Sequence, residues 1–312
     1  MQKLLILICL VALALGIASC DKLDEEIDPV RDYNFNIQTL SYDDLYHQYS
    51  TLTNAYWATP ADSNGVQMFL WENTLHYHPV QLAHRSLDLL SDYRLTNNLV
   101  YMQRAIISLE TLRSRAIRLK KGIYFPYTFD YEILSKPELA VQAPWFSGMA
   151  QGMLLSCYSR LYSLTNNDLY KAVADSILYT MTDYASPYSP VMISEADGVG
   201  LDKDYYWVDE YPHPTRVYVL NGSIIGAMGL YDHWWVFGDR KSKTLLSREL
   251  TTLKDHVMLY RNEGDISCYD LRYRGKNRPY HQIHIDLLRL CHKISSDSYF
   301  QEVADLFASD YP

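Results

Sequence analysis

The stretch PWFSGMAQGMLLSCYSRLYSLTNNDLYKAVADSILYTMTDY, residues 144–184, sets the architecture of this chain. Two runs, 146–164 and 169–184, carry apolar residues at three-to-four spacing, and a polar Asn166-Asn167 step separates them. That pattern predicts two helices joined by a tight turn. Gly148 and Gly152 stand four apart on the first run, a flat backbone face suited to close helix packing. Outward from this pair the scheme repeats. A helix from residue 79 precedes one over 99–121 across Thr96-Asn97-Asn98, with Gly122 as its stop. Helices over 219–237 and 245–261 flank Gly238-Asp239, and helices over 280–293 and 299–308 flank Ser295-Ser296-Asp297. Gly226 and Gly229 repeat the packing motif. The predicted fold class is mainly α: an α/α toroid, an incomplete barrel of helix hairpins, with short β segments clearest at 122–127 and 191–194.

The amino terminus reads differently. Lys3 precedes an apolar run over 4–17, too short to span a bilayer comfortably, and Ile17-Ala18-Ser19-Cys20 supplies small residues before a cysteine. This is the pattern of a bacterial lipoprotein signal peptide over 1–19, with Cys20 carrying the lipid. An ordinary cleaved signal with an incidental cysteine is the plainer alternative. Residues 20–40 read as an acidic tether and 41–312 as the folded domain, placing the protein in a bacterial cell envelope, lipid-anchored to a membrane. Loss of 1–19 removes only Lys3 and takes the net charge from −9 to −10, which argues against nucleic acid as a partner. Three further cysteines, Cys157, Cys268 and Cys291, cannot all pair, so no disulfide framework is expected. A homodimer is compatible with the sequence.

Four blocks concentrate chemistry in the second half. They are the Pro144–Gly152 block, Asp209-Glu210-Tyr211-Pro212 leading to Val219-Leu220-Asn221-Gly222, Tyr269-Asp270-Leu271-Arg272, and Tyr280-His281-Gln282-Ile283-His284-Ile285. In this order they resemble the C-terminal catalytic region of the D-glucuronyl C5-epimerase family. The resemblance implies a cofactor-independent isomerase that removes and restores a proton at C5 of a uronic acid within a polysaccharide. It gives catalytic roles to Glu210, Tyr211 and Tyr280, and makes Arg272 the holder of the uronate carboxylate. Tyr269, Asn221, His281, Trp145 and Gln151 are carried over as substrate-binding candidates. Family members also bear a β-rich N-terminal wall, which the roughly 60 residues before the first helix here leave reduced or absent. No metal is expected: His281 and His284 lack further ligands at recognisable spacing.

The residue types suit the reaction. A C5 carbanion delocalises into the adjacent carboxylate, so the reaction needs a base on one face, an acid on the other and a group that steadies the carboxylate. Tyrosine serves as base only if its pKa falls from about 10, and a nearby arginine is the expected cause. Arg272, Arg274, Lys276 and Arg278 form a basic stretch expected to meet a polyanion. Two other readings stay open: a uronate polysaccharide lyase, which uses the same carbanion for β-elimination, and a non-catalytic glycan-binding lipoprotein.

Overall fold

Four helix hairpins are closed by the same local device. Asn97, Asn166, Gly238 and Ser296 each take the left-handed conformation that ends a helix. The next residue, Asn98, Asn167, Asp239 or Asp297, accepts a backbone N–H from the first turn of the following helix. Capping and termination are thus encoded in adjacent residues, which keeps each connection tight.

The structure, a computed structural model, describes residues 30–47 and 60–312. The signal peptide, Cys20 and the start of the tether lie outside the described residues. The hairpins are α1 (Pro79–Thr96) with α2 (Leu99–Arg113), α3 (Gly148–Thr165) with α4 (Asp168–Thr180), α5 (Leu220–Phe237) with α6 (Arg240–His256), and α7 (Arg278–Ser295) with α8 (Ser298–Asp310). Helices α1, α3, α5 and α7 pack in sequence as an inner row, and each outer helix packs on its own partner. The inner α3 and α5 are buried over almost four turns, whereas α4 and α8 bury one stripe each. This is the incomplete α/α toroid anticipated from the hairpin repeat.

Short antiparallel pairs decorate one end: β1 (Phe69–Trp71) with β2 (Thr74–His76), β3 (Ile117–Leu119) with β4 (Gly122–Tyr124), β5 (Tyr131–Glu132) with β6 (Ala140–Val141), and β7 (Val191–Ile193) with β8 (Tyr206–Val208). The second helix stops at Arg113 rather than running to 121. Ile117 and Leu119 belong to a two-residue period that pairs with Tyr124 and Gly122. Residues 31–40, read from composition as tether, are bound along the helices instead. Phe35 N–H donates to Ser247 Oγ, Leu40 N–H to the Tyr231 hydroxyl, and Trp235 Nε1 to the Leu40 carbonyl. The fully buried Arg160 pairs with Asp232 at 2.8 Å and donates to the Tyr46 carbonyl, fixing the end of this strap. Cys157, Cys268 and Cys291 are free buried thiols.

The most extensive helix contact joins α3 to α5. A Cβ on Gly152 would overlap the Gly226 carbonyl, and one on Gly229 would overlap the Gly152 carbonyl. The two backbones therefore touch directly, as the glycine spacing anticipates. Gly152→Ala is expected to cost about 3 kcal/mol by forcing these helices apart. Thermal unfolding followed by circular dichroism should then show a melting temperature lower by roughly 6–12 °C. An unchanged melting temperature would mean the helices can separate without penalty.

Candidate active site

A cleft of about 1030 Å³ opens where the inner helices begin. Its walls include Val80, Gln81 and His84 of α1, Met149 of α3, Asn221 and Ile225 of α5, and Tyr280, Ile283 and Leu287 of α7. Glu210, Tyr211 and Trp145 enter it from the preceding loops. The cleft thus lies at the N-terminal ends of the inner helices.

Glu210 is set by a chain of local contacts. Strand β8 leads directly into Asp209, whose N–H donates to the Pro190 carbonyl and whose carbonyl accepts the Gly148 N–H at 2.7 Å. The Asp209 carboxylate accepts from Arg216 and from the Tyr211 N–H. Gly222 completes the fit, because a Cβ there would overlap the Glu210 carboxyl. The Val-Leu-Asn-Gly block thus sends Asn221 into the cleft and uses its glycine to admit the glutamate.

Glu210 is 7 % exposed, and its Oε2 is buried with no hydrogen-bond partner among the described residues; the same holds for Asn221 Oδ1. Burial pushes the carboxyl up to about 7, opposed in part by the Tyr211 and Tyr269 hydroxyls. Burial also raises Tyr211, Tyr269 and Tyr280, with Glu210 beside them adding to the effect. This reverses the expectation of an arginine-lowered phenol. The tyrosines stay protonated, and Glu210 is the group poised near neutrality.

The phenols cluster around it. The Tyr269 and Tyr280 rings lie 4.7 Å apart, and Tyr211 stacks on Tyr131 at 5.9 Å. Tyr269 backs Tyr280 from a core of Ile133, Leu139, Val217 and Val219. The Tyr-Asp-Leu-Arg loop is held by the buried Asp270 carboxylate, which accepts the N–H groups of Tyr273 and Gly275.

Other candidates lie elsewhere. Arg272 does not line the cleft: its guanidinium binds the Asp197 carboxylate and the Arg216 carbonyl. The expected basic patch is likewise consumed internally. Arg274 donates to the Leu259 carbonyl, Lys276 pairs with Asp265, and Arg278 lies over the Tyr311 ring. Gln151 is fully buried, donating to the Ile123 carbonyl and accepting the Phe125 N–H. His281 and His284 are buried on Ser267, below the loop that carries Tyr269. Their hydrogen bonds are structural because burial leaves Ser267 as their shared partner.

The sequence reading missed an aromatic wall. Phe69 and Trp71 of β1 lie beside Phe129, and Tyr127 stacks on Trp145 at 3.8 Å. All five line the cleft together with Tyr131 and residues Asp43–His47 of the strap. Of these, Phe69, Trp71 and residues Asp43–His47 come from before the first helix. Only the β-turn signal at Glu72-Asn73, both left-handed, could have marked the hairpin.

Comparison with known proteins gives this geometry its context. A D-glucuronyl C5-epimerase of Caenorhabditis elegans is 26% identical over 194 residues, 55% of this chain and 30% of that protein. The chain therefore spans less than a third of that relative. Two solved structures share the fold. Cellobiose 2-epimerase from Bacillus thermoamylovorans has a TM-score of 0.52 at 10% identity, covering 75% of this chain and 59% of its own. The GH76A α-1,6-mannanase from Salegentibacter has a TM-score of 0.53 at 18% identity, covering 85% and 67%. Residues 120–309, more than half the chain and every one of the four motif blocks, match the family described as D-glucuronyl C5-epimerase C-terminus, and the chain belongs to that family.

Proposed function

We propose that this protein is a cofactor-independent carbohydrate epimerase that inverts C5 of a uronic acid within a glycan. The observation that carries the reading is one buried carboxyl titrating near 7 among protonated phenols, inside a cleft walled by sugar-sized aromatic faces. A base at that pKa is ionised enough at neutral pH to act and basic enough to accept a proton. Glu210 would take the Tyr211 hydroxyl proton as that oxygen takes hydrogen from C5. The electron pair left at C5 would spread into the uronate carboxylate. Tyr280 would then give its proton to the other face, with solvent restoring both groups. Asn221 and Trp145 would orient the ring.

Family membership and the acidity of hydrogen beside a carboxylate support the uronate as substrate. The amino-terminal sequence supports a bacterial envelope location and a tether through Cys20, and family membership supports a uronic-acid polysaccharide as partner.

Incubation with a glucuronate polysaccharide in deuterated water tests the reaction class. The expected result is deuterium at C5, read by NMR, without the ultraviolet absorbance of an unsaturated uronate. New absorbance would instead assign β-elimination, and neither signal on a panel of glycans would leave a binding protein. Tyr280→Phe should abolish C5 exchange while leaving glycan affinity within about threefold, because it removes only an acid–base hydroxyl.

Glu210 makes a paired prediction. Its folded pKa, about 7, exceeds its ordinary 4.5. As pH rises from 4.5 to 7 the unfolded chain releases this proton while the folded protein retains it, so stability falls across that window. Glu210→Gln should therefore raise stability at pH 8 by about 3 kcal/mol, with the gain vanishing near pH 4.5. The same variant should lose at least about 100-fold in exchange rate. Denaturant unfolding at the two pH values, beside the exchange assay, checks both halves.

A further inference from the structure

Every cation expected to meet the substrate carboxylate is committed elsewhere. Arg272 is held by Asp197 and Arg216 by Asp209, and neither lines the cleft. Lys293 does line it, but binds Asp44 at 3.0 Å. Residues 48–59, between the two described stretches, contain no lysine or arginine. Among the described residues the cleft therefore offers a bound carboxylate no lysine or arginine besides Lys293, and its neutral donors come into consideration.

His78 is one such neutral group on the cleft lining. It lines the cleft at the start of α1, its ring edge-on to Phe69 at 5.0 Å and to Tyr127 at 4.9 Å. Tyr127 stacks on Trp145, which lies 6.1 Å from Tyr211, so one continuous aromatic wall links His78 to the catalytic cluster. Its Nδ1 accepts the Gln81 backbone N–H at 3.3 Å as the helix cap. A nitrogen that accepts carries no proton, so the neutral ring bears its hydrogen on Nε2. Burial keeps the ring neutral by pushing its pKa down to about 4. Among the described residues Nε2 has no hydrogen-bond partner.

We propose that His78, through its Nε2–H, donates a hydrogen bond to the carboxylate of the bound uronate, the role that the motif resemblance gives to Arg272. The inference rests on the uronate reading above. It makes His78 a binding residue at the start of the first helix, far in sequence from the four motif blocks.

Two substitutions separate this role from helix capping. His78→Asn retains an acceptor for the Gln81 N–H but ends short of the Nε2 position. His78→Gln places an amide N–H near Nε2 and gives up the cap. Affinity is measured by NMR titration with a glucuronate oligosaccharide and with the same oligosaccharide after its carboxyls are reduced to alcohols. His78→Asn should keep the wild-type melting temperature and weaken binding of the acidic oligosaccharide by about 10- to 100-fold, with little effect on the reduced one. His78→Gln should melt lower and bind the acidic form within about fivefold of wild type. Equal losses on both oligosaccharides, unchanged binding by His78→Asn, or loss of binding by a folded His78→Gln would each overturn the proposal. Binding needs no turnover, so wild-type protein that binds without exchanging C5 defeats the epimerase reading and leaves His78 standing. Wild-type protein that does not bind the acidic oligosaccharide defeats both.

Discussion

The direct backbone contact of α3 with α5 is the constraint on which the site depends. Glycines at 152, 226 and 229 let the two helices approach until carbonyls of one lie against α-carbons of the other, and Gly148 admits the Asp209 and Pro190 carbonyls. Their N-terminal ends then stand beside β8, and the first N–H of α3 holds the Asp209 carbonyl. Glu210, the next residue, is thereby pressed against Gly222. A side chain at Gly152 or Gly229 would meet the backbone of the partner helix, and one at Gly222 would meet Glu210 itself. Helix packing and the placement of Glu210 are one arrangement here.

That position explains the electrostatics. A carboxyl removed from water favours its neutral form, and each tenfold change in its proton affinity corresponds to about 1.4 kcal/mol. Neighbouring hydroxyls of Tyr211 and Tyr269 recover part of the charged form's stability, which leaves the group near 7 instead of far above it. The phenols respond in the opposite sense to catalytic expectation, since burial and the adjacent carboxylate both disfavour phenolate. The phenols therefore hold their protons, while the carboxyl lies near the pH at which it loses its own.

The cleft presents flat aromatic faces beside a few charged groups, Asp43, Asp44, Glu210, Asp286 and Lys293. Aromatic residues from β1, the 127–131 segment and Trp145 form one wall, and the strap anchored by Arg160 and Asp232 forms another. Engaging each arginine of the 272–278 stretch, and Lys276, with an internal partner stabilises the loops behind the phenols. The guanidinium of Arg272 thus shapes the Tyr-Asp-Leu-Arg loop through Asp197 and is withheld from the cleft.

Hairpin architecture was written locally. Apolar spacing, left-handed terminators and adjacent Asn or Asp caps act within a few residues, so four helix pairs could be read directly, as could the glycine faces that join them. Motif order likewise named Glu210, Tyr211, Tyr280, Asn221 and Trp145, which all line the cleft. What the residues could not disclose were partners distant in the chain. Asp197 captures Arg272, the aromatic wall assembles from segments before the motifs, and His78 gains a defined tautomer only because Gln81 N–H occupies its other nitrogen. Periodicity and capping are short-range, so sequence determined the helices; charge pairing, burial and proton affinity are set by whatever folding brings alongside, so the tertiary structure alone decided which groups are acidic, basic or spent.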